Sequence, residues 1–156
     1  MLAESIMEPL TSYLTPNLTL KEAVAIMNDP NQGYDLPDKG MVVLDSEKHL
    51  VGILSNKDLL RALIPHYLEE GSLAGVTWEG MLKDRAEKVR LMLVKEVMSS
   101  KPLTVLPTAS PMSLTQLMIE NNIQRLPVVD KGGQVLGVVY IRDIYNYIYK
   151  TVHIKE

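Results

Sequence analysis

Apolar residues fall along this chain in two patterns. The first is the continuous short run. In "MVVLDSEKHLVGIL" (41–54) and "LPVVDKGGQVLGVV" (126–139), two such runs flank a polar turn. Runs of this length with β-branched residues predict two β-hairpins, and their lack of alternation predicts strands covered on both faces. The second pattern has helical spacing. Ala23, Val24 and Met27 form one apolar stripe, and Leu114, Leu117 and Met118 form another. Each stripe has a start signal. Thr19 with Glu22 makes a capping box. Ser110 is a cap followed by Pro111 at the first helical position. A short strand is expected before each helix, "TSYLT" at 11–15 and "LTVLP" at 103–107. A second helix is expected after each hairpin, starting near Asp58 and near Asp143.

The order of elements is therefore the same twice, and the residues repeat with it. Met7 and Met98 are 91 apart (98 − 7), as are Pro16 and Pro107 (107 − 16) and Met27 and Met118 (118 − 27). Asp45, Gly52 and Asp58 match Asp130, Gly137 and Asp143 at an offset of 85 (130 − 45). The first copy thus carries six extra residues (91 − 85), in "NDPNQGYDLPDKG" (28–40). That stretch is rich in Pro, Gly, Asn and Asp and reads as a loop, where an insertion leaves the repeat intact. A single copy of this size is marginal alone, and two copies that share apolar surface solve the problem. The expected division is a first repeat over 1–64, a helical insertion over 65–95 and a second repeat over 96–156. Within the insertion Leu82, Ala86, Val89 and Leu93 fall at helical spacing, and Trp78 precedes them. The expected role is a helix packed on the pair, with a partner or dimer surface as the alternative.

Composition narrows the function. In 156 residues, 46% hydrophobic content supports a core, and nine Met with no Phe make it aliphatic and adaptable. A net charge of −3 with mixed signs argues against nucleic acid, which needs a basic face. The absence of Cys excludes disulfides and thiolate metal sites, and three scattered His residues suggest no zinc site. No apolar run approaches the length of a membrane span, and residues 1–10 do not read as a signal peptide. The expectation is a soluble cytoplasmic protein with no membrane or nucleic-acid partner. No nucleophile with a base, and no metal set, emerges from the sequence, so an enzyme is not expected.

The second copy, "VMSSKPLTVLPTASPMSLTQLMIENNIQRLPVVDKGGQVLGVVYIRDI", resembles a CBS domain, the repeat first described in cystathionine beta-synthase. The Met–Pro spacing, "LPVVD", the G-V-V strand and the Asp opening the last helix carry the resemblance. The first copy keeps "VGILSNKDLL" but has Val42 where the family usually has Pro. The resemblance covers about 6–64 and 97–150. It implies an α+β fold, a tandem pair of β-α-β-β-α repeats packed sheet to sheet with pseudo-twofold symmetry and two clefts. It also implies a regulatory sensor that binds an adenosine compound such as AMP, ADP, ATP or S-adenosylmethionine. A homodimer and an effector protein of unknown identity would be its partners. The alternative is a structural dimerisation module with empty clefts.

The resemblance also points to individual residues. Asp58 and Asp143 sit where the family's acid accepts from ribose hydroxyls, a task suited to an acceptor-only carboxylate. Ser55-x-x-Asp58 reads equally as a capping box. The resemblance also puts Ser55 where the family places a hydroxyl near the phosphates; Tyr140 stands in that place in the second copy, cannot serve as such a cap, and by its bulk is expected to narrow the cleft or stack on a base. Lys57 and Arg142 precede the two acids, where a cation at a helix start attracts phosphate; a solvated surface charge is the plainer reading. Arg125 precedes "LPVVD" at an edge where the family directs a basic residue at phosphate. Its match is Gly40, beside Lys39. Backbone at Met41, Val42, Leu126 and Pro127 is expected to line adenine pockets, with Ile53 and Val138 as apolar walls. Each of these is also an ordinary core residue.

Overall fold

The computed structural model describes residues 2–29, 40–64 and 79–153. Most of the inserted loop, with Lys39, and Trp78 lie outside the described residues. The elements run α1 (Ala3–Ile6), β1 (Glu8–Pro9), α2 (Leu20–Met27), β2 (Gly40–Leu44), β3 (Leu50–Ser55), α3 (Asn56–Leu63), α4 (Met81–Val89), α5 (Val94–Val97), β4 (Ser99–Ser100), α6 (Pro111–Glu120), β5 (Arg125–Val129), β6 (Val135–Tyr140) and α7 (Ile141–His153). The fold is α+β, as the resemblance implied.

The chain forms two compact units. The first takes Ser12–Asp45 and Val51–Ser100, and the second takes Met1–Thr11, Ser46–Leu50 and Lys101–Glu156. Each holds one three-stranded sheet, in the order β2-β3-β4 or β1-β6-β5. In the second, Glu8 stands opposite Val138 and Arg125 opposite Tyr140, both antiparallel. In the first, Gly52 pairs with Ser100 and Ile53 with Ser99. Both edge strands have only two residues, too few to show as a pattern. They cross the repeat boundary: β1, from the start of the chain, completes the sheet of the second hairpin, and β4 completes that of the first.

The two hairpin glycines explain how these edges fit. A Cβ on Gly137 would lie 2.5 Å from the Glu8 carbonyl oxygen and 2.9 Å from the Met7 sulfur. One on Gly52 would lie 2.5 Å from the Met98 sulfur and 2.9 Å from the Ser99 carbonyl oxygen. The repeated Met and Gly are therefore two sides of one close contact, made once in each unit.

The short strands expected at 11–15 and 103–107 are reduced to one parallel bridge each. Leu14 donates to the Val42 carbonyl at 2.9 Å and accepts from the Leu44 N–H at 2.9 Å. Val105 donates to Pro127 at 3.0 Å and accepts from Val129 at 2.9 Å. Pro16 and Pro107, two residues on, cannot donate and so end the pairing. Both expected helix starts form. Thr19 and Glu22 make the reciprocal box, which also holds the Glu22 carboxyl below its ordinary range through hydrogen bonds from Thr19. Ser110 Oγ accepts from the Ser113 N–H at 3.1 Å, with Pro111 next.

Each unit has its own core. Leu14, Leu20, Ala23, Met27, Met41, Val43, Leu54, Val89 and Val94 fill the first. Val105, Leu114, Met118, Leu126, Val128, Val139 and Ile144 fill the second with Ala3. The helical stripe read within 65–95 needs correction. Met81 and Val89 are the buried residues of α4, while Leu82 and Ala86 face out and Leu93 lies beyond the helix. Arg85 shares the buried face and reaches the Leu63 and Ala62 carbonyls at the end of α3, at 3.1 and 3.4 Å. A capping guanidinium, invisible to an apolar count, turns the helix by one position.

Candidate functional site

Each unit carries a rim where the last strand of its hairpin enters a helix. In the first, Ser55 ends β3 and caps α3. Asp58 is 3% exposed, yet it is a carboxylate. Its Oδ2 accepts from the Ser55 N–H at 2.9 Å and the Ser55 hydroxyl at 3.0 Å. Its Oδ1 accepts from the Ser99 hydroxyl at 2.9 Å and from Arg61 at 3.2 Å. These four donors match the roughly four acceptor positions of an ionised carboxylate, which is how so buried an acid is accommodated. The cap anticipated from Ser55-x-x-Asp58 is present. Of these donors Ser55 belongs to the cap, and Ser99 comes from β4. Lys57 is exposed on the first turn of α3.

The second rim is different in chemistry. Tyr140 is 7% exposed and ends β6 opposite Arg125. Its side chain cannot return a cap, but the Asp143 Oδ2 still accepts the Tyr140 N–H at 2.8 Å. Half of the box thus survives without the serine. Arg142 lies with its guanidinium carbon 5.4 Å from the Tyr140 ring centroid, within cation–π range. Its Nη2 donates to both Glu8 carboxylate oxygens, at 2.6 and 2.7 Å. This ion pair raises the Arg142 pKa further above its ordinary value. Asp143 is pushed up to about 6, first by burial, against the Tyr140 N–H, with the negative charge of Glu8 adding to the rise and Arg142 opposing it.

The remaining expected positions are buried strand residues. Met41 and Val42 lie on β2 and Ile53 on β3. Leu126 and Pro127 lie on β5 and Val138 on β6. The carbonyls of Val42 and Pro127 already accept from Leu14 and Val105. Arg125 is half-buried at the start of β5.

Sequence reasoning missed Ser99 and Glu8. They are equivalents at the 91 offset (99 − 8), each immediately after a repeat methionine. That placement was the available signal. In one unit the position supplies a hydroxyl to the acid; in the other it supplies a second acid.

A family model for the CBS domain matches residues 3–65 and 94–150. The chain belongs to the CBS-domain family. A CBS domain-containing protein of Dictyostelium discoideum is 31% identical over 90% of this chain and 88% of its own length. The inosine-5'-monophosphate dehydrogenase of Korarchaeum cryptofilum is 27% identical over 92% of this chain but only 23% of the enzyme. Among solved structures, the CBS-pair protein CBSX2 of Arabidopsis thaliana, in complex with AMP, superposes with a TM-score of 0.70 at 20% identity, covering 97% of this chain and 98% of that one. The tandem CBS-pair fold is thereby established. Among the described residues no group of three or more His, Cys, Asp or Glu is placed to hold a metal ion, and no helix is long and apolar enough to cross a membrane.

Proposed function

We propose that this CBS pair is a non-catalytic regulatory module that binds an adenosine-containing ligand at its hairpin–helix rims and passes the change to an effector protein. The observation that carries the reading is the duplicated acid. Asp58 and Asp143 open the helix after each hairpin, beside buried apolar strand ends, and each holds the N–H at position 55 or 140. A carboxylate is acceptor-only and suits vicinal hydroxyls; at Asp58 a hydroxyl would take the place of a resident donor, and the exposed Lys57 beside it suits a phosphate. The AMP complex of CBSX2 supports the ligand class. AMP, ADP, ATP and S-adenosylmethionine are the candidates.

A second reading is a dimerisation module that needs no ligand. It is favoured by the filled acceptor positions of Asp58 and by α7, on which Ile141, Tyr145, Ile148, Tyr149 and Val152 form an exposed apolar stripe. The homodimer belongs to both readings. Thermal unfolding with AMP, ATP and S-adenosylmethionine separates them. Binding to the native state alone stabilises by about 2.7 kcal/mol at a ligand concentration of about a hundred times Kd. A clear rise in Tm with at least one compound is expected, and no shift with any of them at millimolar concentration refutes the sensing function.

A further inference from the structure

The second rim contains an acid that its own repeat does not supply. Glu8 stands on β1, opposite Val138 of β6, and engages the Arg142 guanidinium through both carboxylate oxygens. Its counterpart Ser99 instead gives a hydroxyl to Asp58. A neutral donor at one rim is a charged acceptor at the other. The exchange alters what the rim cation can do. Arg142 is bound to Glu8 through Nη2 in front of the Tyr140 ring, so an arriving phosphate must share the guanidinium with a carboxylate or take it from one. Glu8 would then share the rim with the phosphate and with Asp143.

We propose that Glu8 sets the charge specificity of this rim: by occupying Arg142 it selects against adenosine compounds that carry a phosphate and in favour of neutral or cationic ones. The proposal rests on the adenosine-ligand reading above. Specificity here comes from a built-in competitor, which discriminates by cost to the wrong ligand. Because Glu8 acts through Arg142, it is a positioning residue.

Proton binding should tune the effect. The charged and titratable groups bearing on the pair are Glu8 from β1, Arg142 and Asp143 from α7, and the Tyr140 phenol from β6, with Arg125 opposite Tyr140 on β5. Asp143 takes up a proton as pH falls through about 6. One negative charge leaves the rim, and the barrier to phosphate relaxes.

Calorimetry with AMP and with adenosine tests this on wild type, Glu8→Gln, Arg142→Ala and the double variant. Two conditions bracket the Asp143 midpoint of about 6, one about 1.5 units above it and one slightly below. At the higher pH, Glu8→Gln should bind AMP about two- to fivefold more tightly, on the scale of a half-exposed ion pair, and adenosine unchanged. The gain should vanish in the Arg142→Ala background, which a merely structural effect at position 8 would not produce. Lowering the pH should favour AMP more in wild type than in Glu8→Gln, whose own change measures titration of the AMP phosphate. A gain shared by adenosine, or one that persists without Arg142, overturns the proposal while adenosine binding preserves the broader reading. No binding of either compound to any of the proteins overturns both.

Discussion

Asp58 and Asp143 show how one residue type at one register position can do different work. The spacing Ser55-x-x-Asp58 made the first cap legible, because both partners lie on one helical turn. The Ser99 hydroxyl comes from 41 residues away, and no local pattern carries that contact. Replacing Asp58 with Ala leaves the Ser55 N–H and hydroxyl, the Ser99 hydroxyl and Arg61 without their acceptor. Loss of the cap costs about 1 kcal/mol, and donors left unsatisfied add up to about 2 more. The expected result is a stability loss of about 1–3 kcal/mol in urea unfolding. If Asp58 also receives a ribose, AMP affinity should drop about tenfold or more in the still-folded variant. Reduced stability with unchanged affinity would confine Asp58 to capping.

At the scale of elements, hairpins and capped helices follow from local sequence, whereas edge strands and exposed faces do not. Continuous apolar runs mark β2, β3, β5 and β6 because the middle of each strand is buried at successive positions, not at alternate ones. The face of α4 was misplaced because Arg85 completes it with a capping contact rather than with apolar bulk. On α7 the residues buried and exposed are both apolar, and only Ile144 is fully buried. The outward positions 141, 145, 148, 149 and 152 repeat at helical spacing; in the other unit, Leu60 of α3 and Ile64 just after it are also exposed. Such a stripe suits a homodimer contact through α7. Ile148 is 48% exposed, so Ile148→Lys should leave the unit folded. Sedimentation at tens of micromolar should show a dimer for wild type and a 17.5 kDa species for the variant. A wild type that sediments as a monomer removes the dimer from the proposal.

At the scale of the whole molecule, repeat and compact unit are cut differently. Residues 3–9 precede the first repeat's hairpin in sequence, yet α1 and β1 complete the second unit. The Ala3 N–H donates to the Ala109 carbonyl at 2.8 Å, and Ala3 is part of the second core. Deleting residues 2–9 should therefore damage the distant half. It exposes the β6 edge and removes the partner that Gly137 accommodates. Amide exchange should accelerate in 125–140 by far more than in 40–55. Equal loss in both hairpins, or loss centred on 40–55, would show that the unit is held in another way.

The sequence by itself determined the doubling, the hairpins, the helix starts and the acids at 58 and 143. All of these depend on neighbours within a few residues or on a regular offset between copies. Tertiary structure alone decided which short strand closes which sheet, because two residues carry no periodicity. It also decided that position 8 or 99 faces the acid, since antiparallel pairing of strands far apart in sequence brings them together. The two rims therefore differ in charge for a reason that lies outside their own motifs: Ser99 donates to a buried carboxylate in one, and Glu8 competes for the rim's arginine in the other.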